Sequence, residues 1–243
     1  MTATDRTAVL ALDTAGPGAS AALSVGGADP LTHVAEAERA RGEHLCGGVQ
    51  ALLDRAGLGA ADLGAIAVVS GPGSYTGLRV GLALAKGLAL VDRLPVVAVG
   101  SLELTANWAA PEPGPAVALV RAHAGRWYAA DFEVGAAVAA AGDPELVEAG
   151  RLAEFLGARS AATAVCVGDH EADDAREAAG ATAPDVAWRV AGGLRVSVLC
   201  RLGQQELARG RAADASTLVP VYVGSSGAKR NTNRVATFAK GSD

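Results

Sequence analysis

The sequence predicts an α/β protein in which mixed sheets are flanked by helices. The chain has 243 residues, 50% of them apolar and only 4% aromatic, so it can bury a sizeable core of Ala, Val and Leu. Over the first hundred residues, short apolar runs alternate with stretches of helical periodicity in the order β-β-β-α-β-α-β. A second unit begins near Ser101, after the fifth of these apolar runs.

The first three predicted strands follow one another closely. Apolar runs over Thr7–Leu12, Ala19–Val25 and Thr32–Ala37 are separated by turn residues, among them the Gly-Pro-Gly of residues 16–18. Strands joined by such short connections pair antiparallel, because a parallel pair needs a long crossover. The sequence therefore predicts an antiparallel meander.

A helix over Glu43–Ala56 comes next, with Gly57 as its end signal. Gly47 and Gly48 lie inside it, and each costs about 1 kcal/mol relative to Ala. This pair indicates either a weak helix start or a helix that another backbone approaches closely. The apolar side chains share one face at helical spacing: Leu45, Val49, Leu52, Leu53 and Ala56.

The later elements follow from the same patterns. The predicted strands are Ala65–Ser70, Pro95–Val99, Ala116–Arg121, Arg126–Glu133, Ala164–Val167 and Leu218–Val223. The predicted helices are Thr76–Val91, Ser101–Trp108, Arg151–Gly157, Glu171–Ala179 and Leu194–Arg209. Residues 225–243 are polar and lack periodicity, so we expect a disordered basic tail.

The stretch SGPGSYTGLRVG, which begins at Ser70, joins a predicted strand to a predicted helix. Glycine backbone and a helix N-terminus can cradle a phosphate, and Gly71, Gly73, Ser74 and Thr76 lie where such a nest would form. The spacing, however, fits neither the Walker A loop nor the dinucleotide fingerprint. Phosphate binding therefore stays one of two interpretations.

The second interpretation is structural. Ser74 or Thr76 can cap the following helix, and the glycines permit the turn. Gly77, Gly81 and Ala85 then form a stripe of small residues at intervals of four. Such a stripe lets another helix pack closely against this one.

Asp13 and Thr14 end the first strand, just before a Gly-rich turn. In actin-like and sugar-kinase-like ATPases, an acidic residue at the end of such a strand faces the nucleotide phosphates. The alternative is an Asx-turn that closes the strand. The residues alone do not separate these two roles.

Composition and spacing argue against several other functions. Residues 225–243 hold four basic residues and one acidic residue, which leaves 17 basic against 25 acidic residues in the rest of the chain, unlike an autonomous nucleic-acid binder. The three cysteines are widely spaced, as in reduced cytoplasmic proteins. The four histidines show no helical zinc spacing, so we expect no metal. No apolar run is long enough for a membrane span, and no signal peptide is apparent.

These residues together resemble one family. The strand end Ala11–Thr14, the block Gly71–Gly81 and the run Leu94–Leu102 are similar to the TsaB (YeaZ) family of tRNA threonylcarbamoyladenosine biosynthesis proteins, relatives of TsaD. The eleven-residue block is the specific part. The resemblance covers residues 8–105 well and residues 106–210 weakly, and Pro220–Val223 is similar to the family's closing Pro-x-Tyr-Leu.

The resemblance implies a two-lobed actin-like (ribonuclease-H-like) fold. The first lobe would comprise residues 1–105, completed by a helix over about residues 194–210, and the smaller second lobe residues 106–193. It also implies a cytoplasmic, non-catalytic subunit that pairs with TsaD for threonylcarbamoyl transfer to the adenosine beside the tRNA anticodon. TsaD carries two metal-binding histidines on a helix, and the matching helix here has only His44.

The resemblance further implies where partners bind. TsaD, and through it the ATPase TsaE, would be the partners, or else a second copy of this chain when it is alone, and tRNA would be reached only through the complex. ATP would be used by the complex, with no cofactor intrinsic to this chain beyond weak nucleotide binding. The implied interface residues are His44, Leu45, Gly48, Val49, Leu52, Gly77, Gly81, Leu82 and Ala85. The motif loop would comprise Asp13, Thr14, Gly71, Gly73, Ser74, Thr76 and Arg79.

Two alternatives from other classes remain. Asp13, Thr14 and the glycine-rich stretch are also expected in an ATPase or small-molecule kinase of the actin-like superfamily, although residues 106–220 show no convincing second phosphate loop. A glycoprotease, the older label of the wider family, would need metal ligands or a nucleophile dyad. Neither pattern occurs in the sequence.

Overall fold

The computed structural model describes residues 8–35, 42–109, 112–180 and 186–224. The chain divides into two units, Met1–Gly100 with Val196–Val221, and Ser101–Arg195 with Tyr222–Asp243. The second unit begins at Ser101, near where the sequence pattern predicted it, whereas the lobe boundary at residue 105 that the resemblance implied falls inside the helix that begins at Ser101. The tail predicted over residues 225–243 lies outside the described residues.

The first unit contains a five-stranded mixed sheet in the order β3-β2-β1-β4-β5. β1, β2 and β3 form the predicted antiparallel meander, and β4 and β5 extend it in parallel. The strands are β1 Ala8–Asp13, β2 Ala19–Val25, β3 Leu31–Ala35, β4 Leu63–Gly71 and β5 Val96–Gly100. The helices are α1 Gly42–Ala56, α2 Tyr75–Asp92 and α6 Arg195–Ala208.

Helices cover both faces of this sheet, which explains why β1 and β4 are apolar without alternation. On one face, Leu10 and Leu12 pack in one core with the buried sides of α1 and α2. On the other face lies α6, where the Cys200 thiol donates to the Val9 carbonyl over 3.4 Å. Gly203 of α6 packs so closely that an added Cβ would lie 2.5 Å from the Ala67 side chain.

After α6, residues 211–221, which we call the return segment, run back along β5. Ala213 and Val96 exchange two backbone hydrogen bonds, and the N–H of Val221 donates to the Ser70 carbonyl over 2.8 Å. Leu218 is buried in the core of the first unit. The prediction of a strand over Leu218–Val223 is wrong. This stretch makes isolated hydrogen bonds and does not form a ladder of backbone hydrogen bonds with a neighbouring strand.

The second unit contains a sheet in the order β11-β10-β6-β7-β8, with β9 paired to β7. α3 packs on one face of this sheet, while α4 and α5 pack on the other. The strands are β6 Gly114–Arg121, β7 Arg126–Val134, β8 Val138–Ala140, β9 Glu145–Glu148, β10 Ala164–Gly168 and β11 Ala187–Ala191. The helices are α3 Ser101–Ala109, α4 Leu152–Gly157 and α5 Ala172–Ala179.

The predicted hairpin of β6 and β7 is confirmed, as are all the predicted helices to within two residues at each end. The sequence did not predict the short strands β8, β9 and β11. Among the helices that the structure describes, none is both long enough and apolar enough to cross a bilayer.

Candidate functional site

The glycine loop, residues 71–77, connects the end of β4 to the first turn of α2. Ser74 is the N-cap of α2, and its hydroxyl accepts the N–H of Gly77 over 3.1 Å. Thr76, the other predicted cap, is exposed on the first turn. The loop therefore begins the helix in the way that the structural interpretation predicts.

Three backbone N–H groups of this region are already hydrogen-bonded within the chain. Ser74 donates to the Ala15 carbonyl over 2.8 Å, and Leu78 donates to the Ser74 carbonyl over 2.9 Å. Gly77 donates to the capping hydroxyl of Ser74. A phosphate nest needs N–H groups that point at the anion, so a phosphate would have to displace the chain's own acceptors here.

The small residues of α2 fit against the turn between β1 and β2. A Cβ on Gly73 would lie 2.6 Å from the Ala15 carbonyl oxygen, and one on Gly77 or Gly81 would overlap Thr14. These glycines therefore accommodate the chain's own turn, not a partner helix as we expected from their spacing. Two further residues predicted at the interface, Leu82 and Ala85, are buried in the core of the first unit.

Asp13 and Thr14 occupy the same turn, at the end of β1. The Asp13 carboxylate accepts the N–H of Ala15 over 3.1 Å, which is the Asx-turn geometry. Thr14 is 3% exposed, and its hydroxyl has no hydrogen-bond partner in the described part of the chain. Both residues support the packing of the glycine loop.

α1 shows a similar division between a buried and an exposed side. Leu45, Val49 and Leu52, predicted to contact a partner, are buried in the first unit's own core. Gly48 faces the His33 side chain of β3, which occupies the place of a Cβ. His44 is exposed at the start of the helix.

The sides of α1 and α2 that point away from the sheet form a different surface, which we call the outer face. It consists of small and apolar side chains, of which we singled out only Gly47 from the sequence. Leu90 and Val91 are 78% and 81% exposed. An added Cβ on Gly47 or Gly87 would meet nothing within 4 Å. The outer face comprises Gly47, Ala51, Ala83, Gly87, Leu90 and Val91.

A signal for the outer face was present in the sequence. Ala83 and Gly87 repeat the four-residue spacing of Gly77 and Gly81 on another side of the same helix. Only the position of the sheet distinguishes the two sides, and the sequence pattern of α2 does not show that position directly.

Arg79, the remaining predicted loop residue, lies on the exposed surface of α2. Its guanidinium stacks on the ring of Tyr75, 4.6 Å from the ring centroid, and Tyr75 is 52% exposed. This is a cation–π contact between an exposed aromatic ring and an arginine one helical turn later.

Two of the three cysteines are buried, and burial makes their thiols poorly reactive. Burial raises the pKa of the Cys166 thiol to about 12 and that of the Cys200 thiol to about 11. Cys46 is exposed on α1. Within the described ranges, no three His, Cys, Asp or Glu side chains are grouped so that they could hold a metal ion.

Comparison with known proteins gives the family. Residues 33–166, more than half of the chain, match the family model described as "TsaD: tRNA N6-adenosine threonylcarbamoyltransferase". The chain is 34% identical over 127 residues to the Escherichia coli tRNA threonylcarbamoyladenosine biosynthesis protein TsaB, covering 51% of this chain and 54% of that protein. It is 49% identical over 67 residues to the Granulibacter bethesdensis tRNA N6-adenosine threonylcarbamoyltransferase, covering 28% and 18%.

The chain thus spans about half the length of E. coli TsaB and a smaller part of the transferase. Among solved structures, YeaZ from Pseudomonas aeruginosa has a TM-score of 0.73 and 28% identity, covering 89% of this chain and all of that one. The two mixed sheets flanked by helices form the actin-like, ribonuclease-H-like fold that the resemblance implied. On these grounds the chain belongs to the TsaD family and is similar to its TsaB (YeaZ) proteins.

Proposed function

We propose that this chain is a non-catalytic subunit that pairs with a TsaD chain for threonylcarbamoyl transfer to the adenosine beside the tRNA anticodon. Its similarity to proteins named for tRNA threonylcarbamoyladenosine biosynthesis supports a role in that modification. Cytoplasmic tRNA is the expected substrate of the complex. The further proposal that this chain acts by holding a catalytic partner rests on one surface, the outer face.

The observation that carries the proposal is the outer face of α1 and α2. Its small side chains leave the helix backbones accessible, which permits close helix–helix packing with a second chain. At its end, Leu90 and Val91 expose adjacent apolar side chains to solvent, a pattern typical of protein interfaces. A homologous lobe with the same helix pair could present a matching surface, which favours a TsaD chain or a second copy as the occupant.

The non-catalytic role is supported by the sequence of α1. This helix, GEHLCGGVQALLDRA, contains one histidine, His44, where the family resemblance associates two metal-binding histidines with TsaD. One imidazole on a helix supplies too few ligands for a catalytic metal, which usually has three protein ligands. We therefore assign the transfer chemistry to the partner.

The actin-like fold also raises the alternative of nucleotide binding, and the residues present do not fit it well. The N–H groups of Ser74, Gly77 and Leu78 are hydrogen-bonded to the chain itself, and the Asp13 carboxylate accepts the Ala15 N–H. Any use of ATP in the complex is assigned to the other subunits.

The test is complex formation with the TsaD chain of the same organism. Purified proteins would be mixed and their masses measured by size-exclusion chromatography with light scattering, for each protein alone and for the mixture. Ala83→Arg places a long charged side chain in the middle of the outer face, and it should reduce the complex at least tenfold. Threonylcarbamoylation of tRNA by the reconstituted subunits should fall with it.

Ala208→Arg is the matched control, because Ala208 is an exposed alanine at the end of α6, on the opposite side of the sheet. This variant should form the complex like the unmodified chain. Equal thermal stability of both variants would show that the interface and not the fold is affected. The proposal is wrong if the unmodified chain forms no complex, or if Ala83→Arg binds TsaD as well as Ala208→Arg does.

A further inference from the structure

We propose that the partner on the outer face presents carboxylate side chains to a basic row beside that face, formed by Arg79 and Lys86 of α2. The inference rests on the proposed function, with the TsaD chain as the partner. It adds the chemistry by which that partner is recognised and distinguished from a second copy of this chain.

The basic row directly borders the outer face. Residues three or four positions apart are neighbours on the surface of a helix. Arg79 therefore lies next to Ala83, in the middle of the outer face. Lys86 lies next to both Ala83 and Leu90. A helix that packs on these small and apolar side chains has to pass beside the two cations.

Both cations can meet a partner. Arg79 is exposed and Lys86 is partly exposed, and neither forms an ion pair with any other residue that the structure describes. The Arg79 guanidinium stacks on the Tyr75 ring, 4.6 Å from the ring centroid. A guanidinium that is stacked in this way can still donate its N–H groups to a carboxylate in its own plane. The row therefore suits carboxylates on the opposite surface.

The row is distinctive because the chain as a whole is acidic. The chain has 26 acidic and 21 basic residues, yet from residue 75 to residue 91 α2 carries two basic side chains and no acidic one. The last residue of α2, Asp92, follows Ala85 by seven positions, so it continues the side of Ala85 and not the row. Charges beside an interface steer association with a surface of opposite charge.

A second copy of this chain does not supply the matching charges. Its α2 would bring the same two cations, and over residues 44–56 its α1 has one acidic residue, Asp54, followed directly by Arg55. The Asp54 carboxylate already accepts the side-chain amide of Gln50 over 2.8 Å. Because like charges across an interface oppose association, the row favours a chain with Asp or Glu at this place over a second copy.

The neighbouring apolar side chains favour a protein over a nucleic acid. Leu90 is 78% exposed and lies one helical turn after Lys86, and Val91 beside it is 81% exposed. A phosphate backbone would neutralise the cations and leave these side chains in water. A protein helix with both apolar and acidic side chains would cover the apolar side chains and pair with the cations.

The first experiment couples Lys86 chemically to the partner. The complex with TsaD is treated with a carbodiimide, which joins an amine to a carboxylate in contact with it. Mass spectrometry should find Lys86 joined to an Asp or Glu of TsaD. Lys86→Arg is the matched control, because it keeps the charge and has no amine to couple. This variant should lose the crosslink and bind TsaD within about twofold of the unmodified chain.

The second experiment reverses the row with Arg79→Glu and Lys86→Glu in one variant. The rate of association with TsaD, measured by surface plasmon resonance at about 50 mM salt, should fall about tenfold or more because repulsion replaces attraction. At about 500 mM salt, where the Debye length is about 4 Å, the difference should shrink to about threefold or less. Thermal unfolding of the variant verifies that the fold is retained.

The matched control for the reversal is Arg189→Glu with Arg201→Glu. It makes the same change in net charge at two exposed arginines, one on β11 and one on α6. Its association rate should stay within about twofold of that of the unmodified chain. An effect as large as that of the reversed row would show that TsaD responds to the net charge, and it would overturn the inference.

Light scattering of the mixture allows this inference and the proposed function to fail separately. If the complex forms but the reversed row associates as fast as the control, or Lys86 couples to no carboxylate of TsaD, the inference is wrong and the pairing stands. If the reversal alters self-association or tRNA binding and leaves TsaD binding unchanged, the row serves a second copy or RNA, which also overturns it. If the unmodified chain forms no complex with TsaD, both are refuted.

Discussion

The two sides of α2 look alike in sequence and differ in what covers them. Gly77, Gly81 and Ala85 line the inner side, and Ala83 and Gly87 line the outer side, both at intervals of four residues. On the inner side, the Thr14 side chain and backbone fill the space that a Cβ would need. On the outer side, no atom beyond the neighbouring residues and backbone of α2 itself lies within 4 Å of such an atom on Gly87.

The difference shows that a stripe of small residues indicates close packing without showing which surface packs there. Inside the unit, the stripe allows the turn after β1 to lie directly on α2, and this contact fixes the glycine loop. Outside, the same spacing leaves an accessible helix surface next to Leu90 and Val91. Substitutions on the inner side should therefore affect folding, and those on the outer side should affect association.

The largest effect is expected at Gly81. Gly81→Val would push two methyl groups against the Thr14 hydroxyl and the turn that carries it. Overpacking of a buried site typically costs about 1–3 kcal/mol, and the rigid backbone of the turn should place this case at about 3 kcal/mol. Thermal unfolding followed by circular dichroism should show a midpoint lower by about 6–12 °C.

Gly81→Ala is the graded companion of this variant and should lower the midpoint less, because it adds one methyl group. If Gly81→Val unfolded at the temperature of the unmodified chain but no longer bound TsaD, the inner side would be a partner surface after all. That result would reverse the assignment of the two sides.

The rate at which each cysteine thiol is alkylated should distinguish buried from exposed positions. Burial holds the pKa of Cys166 at about 12 and that of Cys200 at about 11, so at pH 8 only about one thiol in a thousand or fewer is ionised at either site. Cys46 is exposed on α1, next to Gly47 of the outer face. Iodoacetamide should therefore modify Cys46 at least a hundredfold faster than the other two, as measured by mass spectrometry of the folded chain.

Bound TsaD should slow the modification of Cys46, because a partner on the outer face would cover this side of α1. The buried thiols serve as the internal control, and their slow rates should not change. Equal modification of Cys46 with and without a verified complex would place the interface elsewhere.

The fold could be predicted from the sequence where apolar runs are long. β1 and β4 are covered on both faces, so their continuous apolar residues stand out against their surroundings. β11 was missed because it is an edge strand, half exposed, and Arg189 interrupts its apolar residues. β9 was missed because it has four residues, two of them glutamates.

The candidate site was predictable in its residue types and not in its orientation. The block Gly71–Gly81 and the turn at Asp13 lie together, as a common motif requires. Which side of each helix faces the sheet depends on packing between distant segments, so the buried Leu45 and Ala85 were expected at an interface. The strand predicted over Leu218–Val223 failed because Pro220 has no N–H to donate to a ladder.

A smaller effect of opposite sign is expected on the outer side. Gly87→Ala adds a methyl group into open space in the middle of α2 and reduces the backbone freedom of the unfolded chain. Alanine is favoured over glycine in a helix by about 1 kcal/mol, so the isolated chain should unfold about 2–4 °C higher. Gly47→Ala in α1 is the parallel case, and a lower midpoint for both variants would mean that the outer face is already covered in the free chain.

The smallest effect concerns the return segment, whose 3₁₀ turn Ala215–Thr217 packs against α2. Hydrogen bonds from the hydroxyl and the backbone N–H of Ser216 hold the pKa of Asp214 below its usual value. A carboxyl with a lowered pKa in the folded state stabilises the fold above its unfolded pKa of about 3.9, and this contribution is lost as the pH falls through the folded value. The Asp214→Ala variant should therefore unfold at a slightly lower temperature than the unmodified chain at pH 7. The difference should be smaller than the Gly87→Ala shift. The two unfolding midpoints should converge as the pH is lowered from 4 towards 2. Thermal scans at these pH values measure the difference, and a gap that stayed constant down to pH 2 would show that Asp214 acts through packing and not through its charge.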